Sequence, residues 1–162
     1  MEPLVNLPAA TEPAEWFVVF HRKSASRLFS ALACGEFKHV SAFGYCAGFK
    51  AWIVYDVTWA STFIRLVAHS DEGKRTLGAW TGGCDLIRIP RSNAAPRIAS
   101  RLGLYCVSAV KHLLGLRCVA ATPSGLYRHL LRNGGVLIDG RTEPATRAGR
   151  PEPASRAAAG TE

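Results

Sequence analysis

The chain has 162 residues, a hydrophobic content of 48% and a net charge of +8. That length suits one domain with a real core and is short for two. No run approaches the ~18 to 20 uncharged apolar residues of a membrane span. The start, Met1-Glu2-Pro3-Leu4-Val5, lacks a basic segment leading into an apolar one, so a secretory signal is not expected and a cytoplasmic location is the default. Five cysteines, at 34, 46, 84, 106 and 118, form no C-x-x-C pair and no zinc-finger spacing with histidine. Neither a disulfide scaffold nor a structural metal is predicted. The stretch from Arg141 carries four Arg and three Glu, leaving +7 on residues 1–140. That charge permits an anionic partner, whether nucleic acid, a phospholipid surface or an acidic polymer, without choosing among them.

In chain order, residues 1–15 read as an irregular lead-in rich in Pro, Ala and Glu. Trp16-Phe17-Val18-Val19-Phe20 is a short buried strand. Ser24 to Ala33 reads as a helix, with Ser24 as its cap and Gly35 beyond its end. Strands follow over Phe37–Tyr45 and Lys50–Val57, joined by a turn at Cys46-Ala47-Gly48-Phe49 with Gly48 as its flexible point. Ser61–Ala68 is a further strand. Ser70 opens a helix whose buried face holds Leu77 and Trp80, and Cys84–Ile89 alternates as a fifth strand up to Pro90. Arg91–Arg101 is a basic connection. It leads into a helix over Leu104–Gly115 with Cys106 in its first turn. Thr122 caps the next helix, with Pro123 where no amide donor is needed. Val136–Ile138 adds a short strand or extended segment. Residues 141–162 lack apolar periodicity and are expected to be a disordered tail. One α+β domain is therefore expected over 16–140, a mostly antiparallel sheet of about five strands packed against helices.

Three residues form a chemically complete set. If the turn is centred between Ala47 and Gly48, residues whose numbers sum to 95 lie opposite each other, and His39 faces Asp56 on one side of the sheet. A carboxylate there can hold the imidazole, fix its tautomer and stabilise the imidazolium. A thiol in the first turn of a helix is favoured as thiolate by the free amides and the dipole, and a histidine beside it can shuttle its proton. Cys106 is thus the candidate nucleophile, His39 the base and Asp56 the orienting group. The amide of Cys106 is positioned to hold an oxyanion.

Other polar residues have plainer readings. His21, followed by Arg22-Lys23, is expected as a surface histidine. His69 belongs to a turn, and His112 and His129 lie on helices among basic residues. Asp71 and Glu72 are first-turn helix acids. Tyr105 is expected to pack on the sheet, and Trp52, Trp59 and Trp80 are core or rim aromatics. Arg88, Arg91, Arg97 and Arg101 cluster around the connection before Cys106, as a solvated loop or as a rim for phosphate or carboxylate.

The order of Lys38-His39-Val40-Ser41, the Asp56 strand, Tyr105-Cys106-Val107-Ser108 and Thr122-Pro123-Ser124-Gly125-Leu126-Tyr127 resembles the circularly permuted branch of the NlpC/P60 papain-like superfamily, over residues 16 to 138. In that branch the histidine strand precedes the cysteine helix. Val107 stands where many relatives carry Ser. The resemblance implies a permuted papain-like fold and a thiol amidase, peptidase or acyl-transfer activity on a peptide-like or acyl substrate. It further implies a covalent thioester and no metal or organic cofactor. The sequence also accommodates a non-catalytic binding or structural module of the same fold. Such a module would be encoded by a phage or mobile element, associated with a virion and docked on an anionic partner.

Overall fold

The computed structural model describes residues 12–23, 35–58, 61–90 and 106–138. The predicted helix over 24–33, Trp59, the 91–101 connection with its three further arginines, Tyr105 and the tail from 141 lie outside the described residues. Six strands appear in chain order: β1 (Glu15–His21), β2 (His39–Cys46), β3 (Ala51–Val57), β4 (Thr62–Ala68), β5 (Asp85–Pro90) and β6 (Val136–Ile138). Three helices accompany them: α1 (Asp71–Thr81), α2 (Cys106–Leu113) and α3 (Pro123–Arg132). The strands form one sheet in the order β4-β3-β2-β1-β5-β6, with every pairing antiparallel. The protein is an α+β fold on an open sheet, and β6 makes the strands six rather than five.

β1 lies inside the sheet, and its sequence shows why. A strand covered on both faces reads as a continuous apolar run, and residues 16 to 20 are all buried. Alternate side chains feed two cores. Trp16, Val18 and Phe20 join Val40, Ala42 and Ile87 beneath Val107 and Val110 of α2 and Leu126 and Leu130 of α3. Phe17 and Val19 join Phe43, Val54 and Leu86 on the other face, where Leu77 and Trp80 of α1 close the layer. The aromatic contacts are close: Phe17 stacks on Phe43 at 5.0 Å, and Phe20 meets Tyr127 edge-on at 5.1 Å. Truncating Phe20, which is fully buried, should cost about 3–5 kcal/mol.

The helix ends follow local chemistry. The Ser70 and Thr122 hydroxyls accept from the amides of Gly73 and Gly125, capping α1 and α3 as their sequences predict. After α2, Gly115 takes φ +63°, its amide donates to the His112 carbonyl, and the Leu116 amide donates to that of Lys111. This is a left-handed stop that a Cβ would oppose. It ends α2 as a short rod whose described part runs from Cys106, lying against β2 and β3.

The β2–β3 register departs from the expected one. Cys46 pairs with Ala51 and Ala42 with Tyr55, so opposed residues sum to 97, not 95. The connection is a 3-10 turn over Ala47–Phe49, and Lys50, not Gly48, carries the left-handed backbone at φ 48°, ψ 42°. Continued one rung, this register puts Asp56 opposite Ser41, with His39 its diagonal neighbour. A shift of two residues leaves every side chain on its expected face. His39 and Asp56 therefore still meet.

Candidate active site

His39 opens β2 and is the Cα partner of His21 at the end of β1. The Lys38 amide donates to the His21 carbonyl at 2.8 Å, which fixes the approach of the chain to the strand. From that position the His39 ring reaches across to β3, where Nε2–H donates to Asp56 Oδ1 at 2.6 Å. Both side chains are largely shielded from water, 18% and 26% exposed. Because Nε2 is committed to the carboxylate, Nδ1 is the nitrogen left for a proton acceptor's work.

Cys106 is the second partner of this ring. Its side chain belongs to the core beneath α2 and α3, on the other face from Asp56. His39 sits at the very end of its strand, where Cys106 of a helix packed on the far face is near enough to act on the charge of the ring. Burial disfavours the His39 imidazolium, but the hydrogen bond to Asp56, then the hydrogen bond and charge of Cys106, outweigh it and push its pKa up to about 9. Near neutral pH this ring is an imidazolium held between a carboxylate and a thiol. The structure thus brings Cys106, His39 and Asp56 together.

A second histidine stands beside the first. His21 is not the surface residue its neighbours Arg22 and Lys23 suggest. It is partly buried, with its ring 5.4 Å from that of His39 and 5.7 Å from Trp80. Nε2 lies 2.7 Å from Ser41 Oγ and Nδ1 lies 3.3 Å from Cys84 Sγ. Burial, followed by the charge of His39 and only partly opposed by Asp56, lowers its pKa to about 4. Burial also pushes the Cys84 thiol up, so the thiol keeps its hydrogen, and we assign the tautomer in which it donates to Nδ1 while Nε2–H donates to Ser41. Ser41 is fully buried and had no functional signal in the sequence. His21, Ser41 and Cys84 became legible only through the β1–β2 pairing, which sets His21 against His39 and carries it to the site.

A separate ionic cluster borders β5. Arg22 bridges Asp85 at 2.7 Å and Glu36 at 3.0 Å, and the Tyr127 hydroxyl donates to Asp85 at 3.2 Å. These charges satisfy one another. Arg88 pairs with Glu15 at 3.8 Å. His69 stacks on Tyr45, and His129 meets Asn133, each away from Cys106. Asp71 and Glu72 sit in the first turn of α1, as expected. Among the described residues no group of three or more His, Cys, Asp or Glu side chains is arranged to hold a metal ion. Among the same residues no helix is long and apolar enough to cross a membrane.

Comparison with known proteins adds no family to this picture: no family model matches the chain, and neither a curated protein nor a solved structure is significantly similar to it.

Proposed function

We propose that the protein is a cysteine hydrolase or acyltransferase acting on an amide bond, in a peptide, a peptidoglycan stem or an isopeptide, with the layout of the permuted NlpC/P60 group. The observation that carries this reading is one imidazole, His39, hydrogen-bonded to Asp56 at 2.6 Å, with the sulfur of Cys106 near enough to help raise its pKa. Cys106 Sγ attacks the carbonyl carbon and the C–S bond forms. The proton that sulfur gives up rests on His39 Nδ1, since the ring's pKa of about 9 keeps it charged near neutral pH, and it passes from there to the leaving nitrogen as the C–N bond breaks. Water then attacks the thioester, gives a proton to His39, and releases the acid with the thiol restored. Asp56 holds the ring throughout and stabilises its imidazolium. The backbone amide of Cys106, expected in the first turn of its helix, receives the oxyanion. Each step moves a proton or an acyl group, so the scheme needs no cofactor.

The test is labelling with an iodoacetamide probe followed by peptide mapping. Cys106 should react ahead of Cys34, Cys46, Cys84 and Cys118, and His39→Ala should abolish that preference. Labelling spread over the exposed thiols and indifferent to His39 would overturn the reading. It would leave a non-catalytic module whose net charge of +8 draws it to an anionic partner.

A further inference from the structure

A cleft of about 190 Å3 lies between α1 and the β3–β4 edge of the sheet, and of the proposed catalytic groups only Asp56 borders it. Val54, Leu77 and Trp80 supply apolar lining, and across the two strands Asp56 faces Phe63 while Arg65 faces Val54. Its volume is below the ~300 Å3 at which drug-sized pockets begin, so its occupant is about the size of one amino acid.

The charges in this cleft are unequal. The Asp56 carboxylate is already met by the His39 ring. Arg65 is different: its guanidinium rests over the Phe63 ring at 5.5 Å, and among the described residues no carboxylate pairs with it. The Thr76 hydroxyl donates to the Glu72 carbonyl and offers its proton to nothing else. An exposed guanidinium lying over Phe63 beside an apolar wall favours a planar anion that accepts two N–H bonds while its hydrocarbon part displaces water from the wall. An isolated ammonium would meet Arg65 as a like charge.

We propose that this cleft is a binding site for a small organic carboxylate with an apolar body, its carboxylate on Arg65 and its body against Leu77 and Trp80. The site does not depend on the catalytic reading, because Cys106 is no part of it.

The experiment is calorimetric titration of the full chain with isocaproate, with isoamylamine, which replaces the carboxylate of the same body by an amine, and with acetate, which lacks the body. Trp80 fluorescence serves as a second readout. Isocaproate should bind, acetate should bind more weakly, and isoamylamine should give no heat. Arg65→Gln, at an exposed position, should weaken isocaproate by about ten-fold or more, the worth of a lost charge-assisted contact. Cys106→Ala should bind isocaproate as the wild type does. Equal binding of the amine, unchanged binding in Arg65→Gln, or no signal from isocaproate would each overturn the proposal. Binding retained in a protein whose Cys106 proves unreactive would sink the hydrolase reading and leave the cleft standing.

Discussion

Two imidazoles, one strand apart, each stand between an oxygen and a sulfur. His39 has Asp56 and Cys106; His21 has Ser41 and Cys84. Both are withdrawn from water, and burial acts against the charged form of each. Their pKa values nonetheless separate, to about 9 for His39 and about 4 for His21. The difference is the charge of the oxygen partner. A carboxylate offsets the desolvation of an imidazolium, whereas a hydroxyl oxygen only accepts a hydrogen bond that the neutral ring donates as well. Once His39 is charged, its field presses the His21 proton off further. A thiol beside a histidine is therefore not by itself a nucleophile site. Cys84 beside neutral His21 is a packed thiol, and Cys106 beside His39 is the thiol that the proposed chemistry makes the nucleophile.

Activity should break along this line first. Cys106→Ala and His39→Ala should each remove thiol-dependent turnover, a loss of roughly a thousand-fold or more, because residues that act as one unit fail together. Asp56→Asn keeps the shape of the pair and removes the charge, so turnover should fall by about a hundred-fold or more. In the same variant the His39 pKa, followed by NMR of the ring protons, should drop, as it should in Cys106→Ala, since both partners support the imidazolium. Cys84→Ala should leave turnover within about two-fold, inside the ±0.5 kcal/mol scatter of substitutions away from a critical contact. Loss of activity in Cys84→Ala with Cys106→Ala intact would exchange the roles of the two sites.

Stability against pH should show the same opposition. His39 has its folded pKa raised from 6.5 to about 9, so its contribution is full below pH 6.5 and is lost as pH rises through 9. His21 has its folded pKa lowered from 6.5 to about 4, so its contribution is full above pH 6.5 and is lost as pH falls through 4. Each limb is worth at most about 3 kcal/mol, from the size of the shift. Urea midpoints between pH 4 and 9 should trace a dome with its top near pH 6.5. Above pH 9 the buried Cys84 thiol adds a loss of its own, since its folded pKa is also raised. His39→Gln should flatten the alkaline limb and, by removing the charge that helps lower the His21 pKa, also soften the acid limb, whereas His21→Asn should flatten the acid limb alone. A single limb that vanishes in either variant would mean the two rings titrate as one.

Much of this frame is legible in the chain, for reasons that can be named. Residues 16 to 20 announce a strand buried on both faces because every one of them is apolar and β-forming. Thr122-Pro123 marks a helix start because cap and first-turn chemistry are local. The meeting of His39 with Asp56 follows from side-chain alternation, which tolerates a register error of two but not of one. The rung itself was not legible. Gly48 attracts the positive φ in any sequence reading, yet Lys50 takes it, and that moves the centre of the turn by one residue. His21 was hidden for a different reason. Its neighbours in sequence, Arg22 and Lys23, are those of a surface strand end, whereas Trp80 and Cys84, which shield it, come some sixty residues later. The approach of Cys106 to His39 crosses from one face of the sheet to the other, and no periodicity in either element encodes it.

The smallest effects lie within the neutral site, and they rank its two partners. Ser41 is fully inaccessible, and its hydroxyl is the only oxygen within hydrogen-bond distance of His21 Nε2 among the described residues. Ser41→Ala leaves a buried N–H without an acceptor, so it should cost about 1–3 kcal/mol in urea unfolding at pH 7. The ring has one escape. It can shift its proton to Nδ1 and donate to Cys84, which trades the lost bond for a weaker one to sulfur. Cys84→Ala removes that sulfur and a little packing, so alone it should cost about 1 kcal/mol or less, the scale of an ordinary substitution outside a tight core. If the two partners share one proton, the double variant must cost more than the sum of the singles, because it closes the escape. A strictly additive double variant would mean that Cys84 merely fills space. The neutral imidazole would then be held by Ser41 alone.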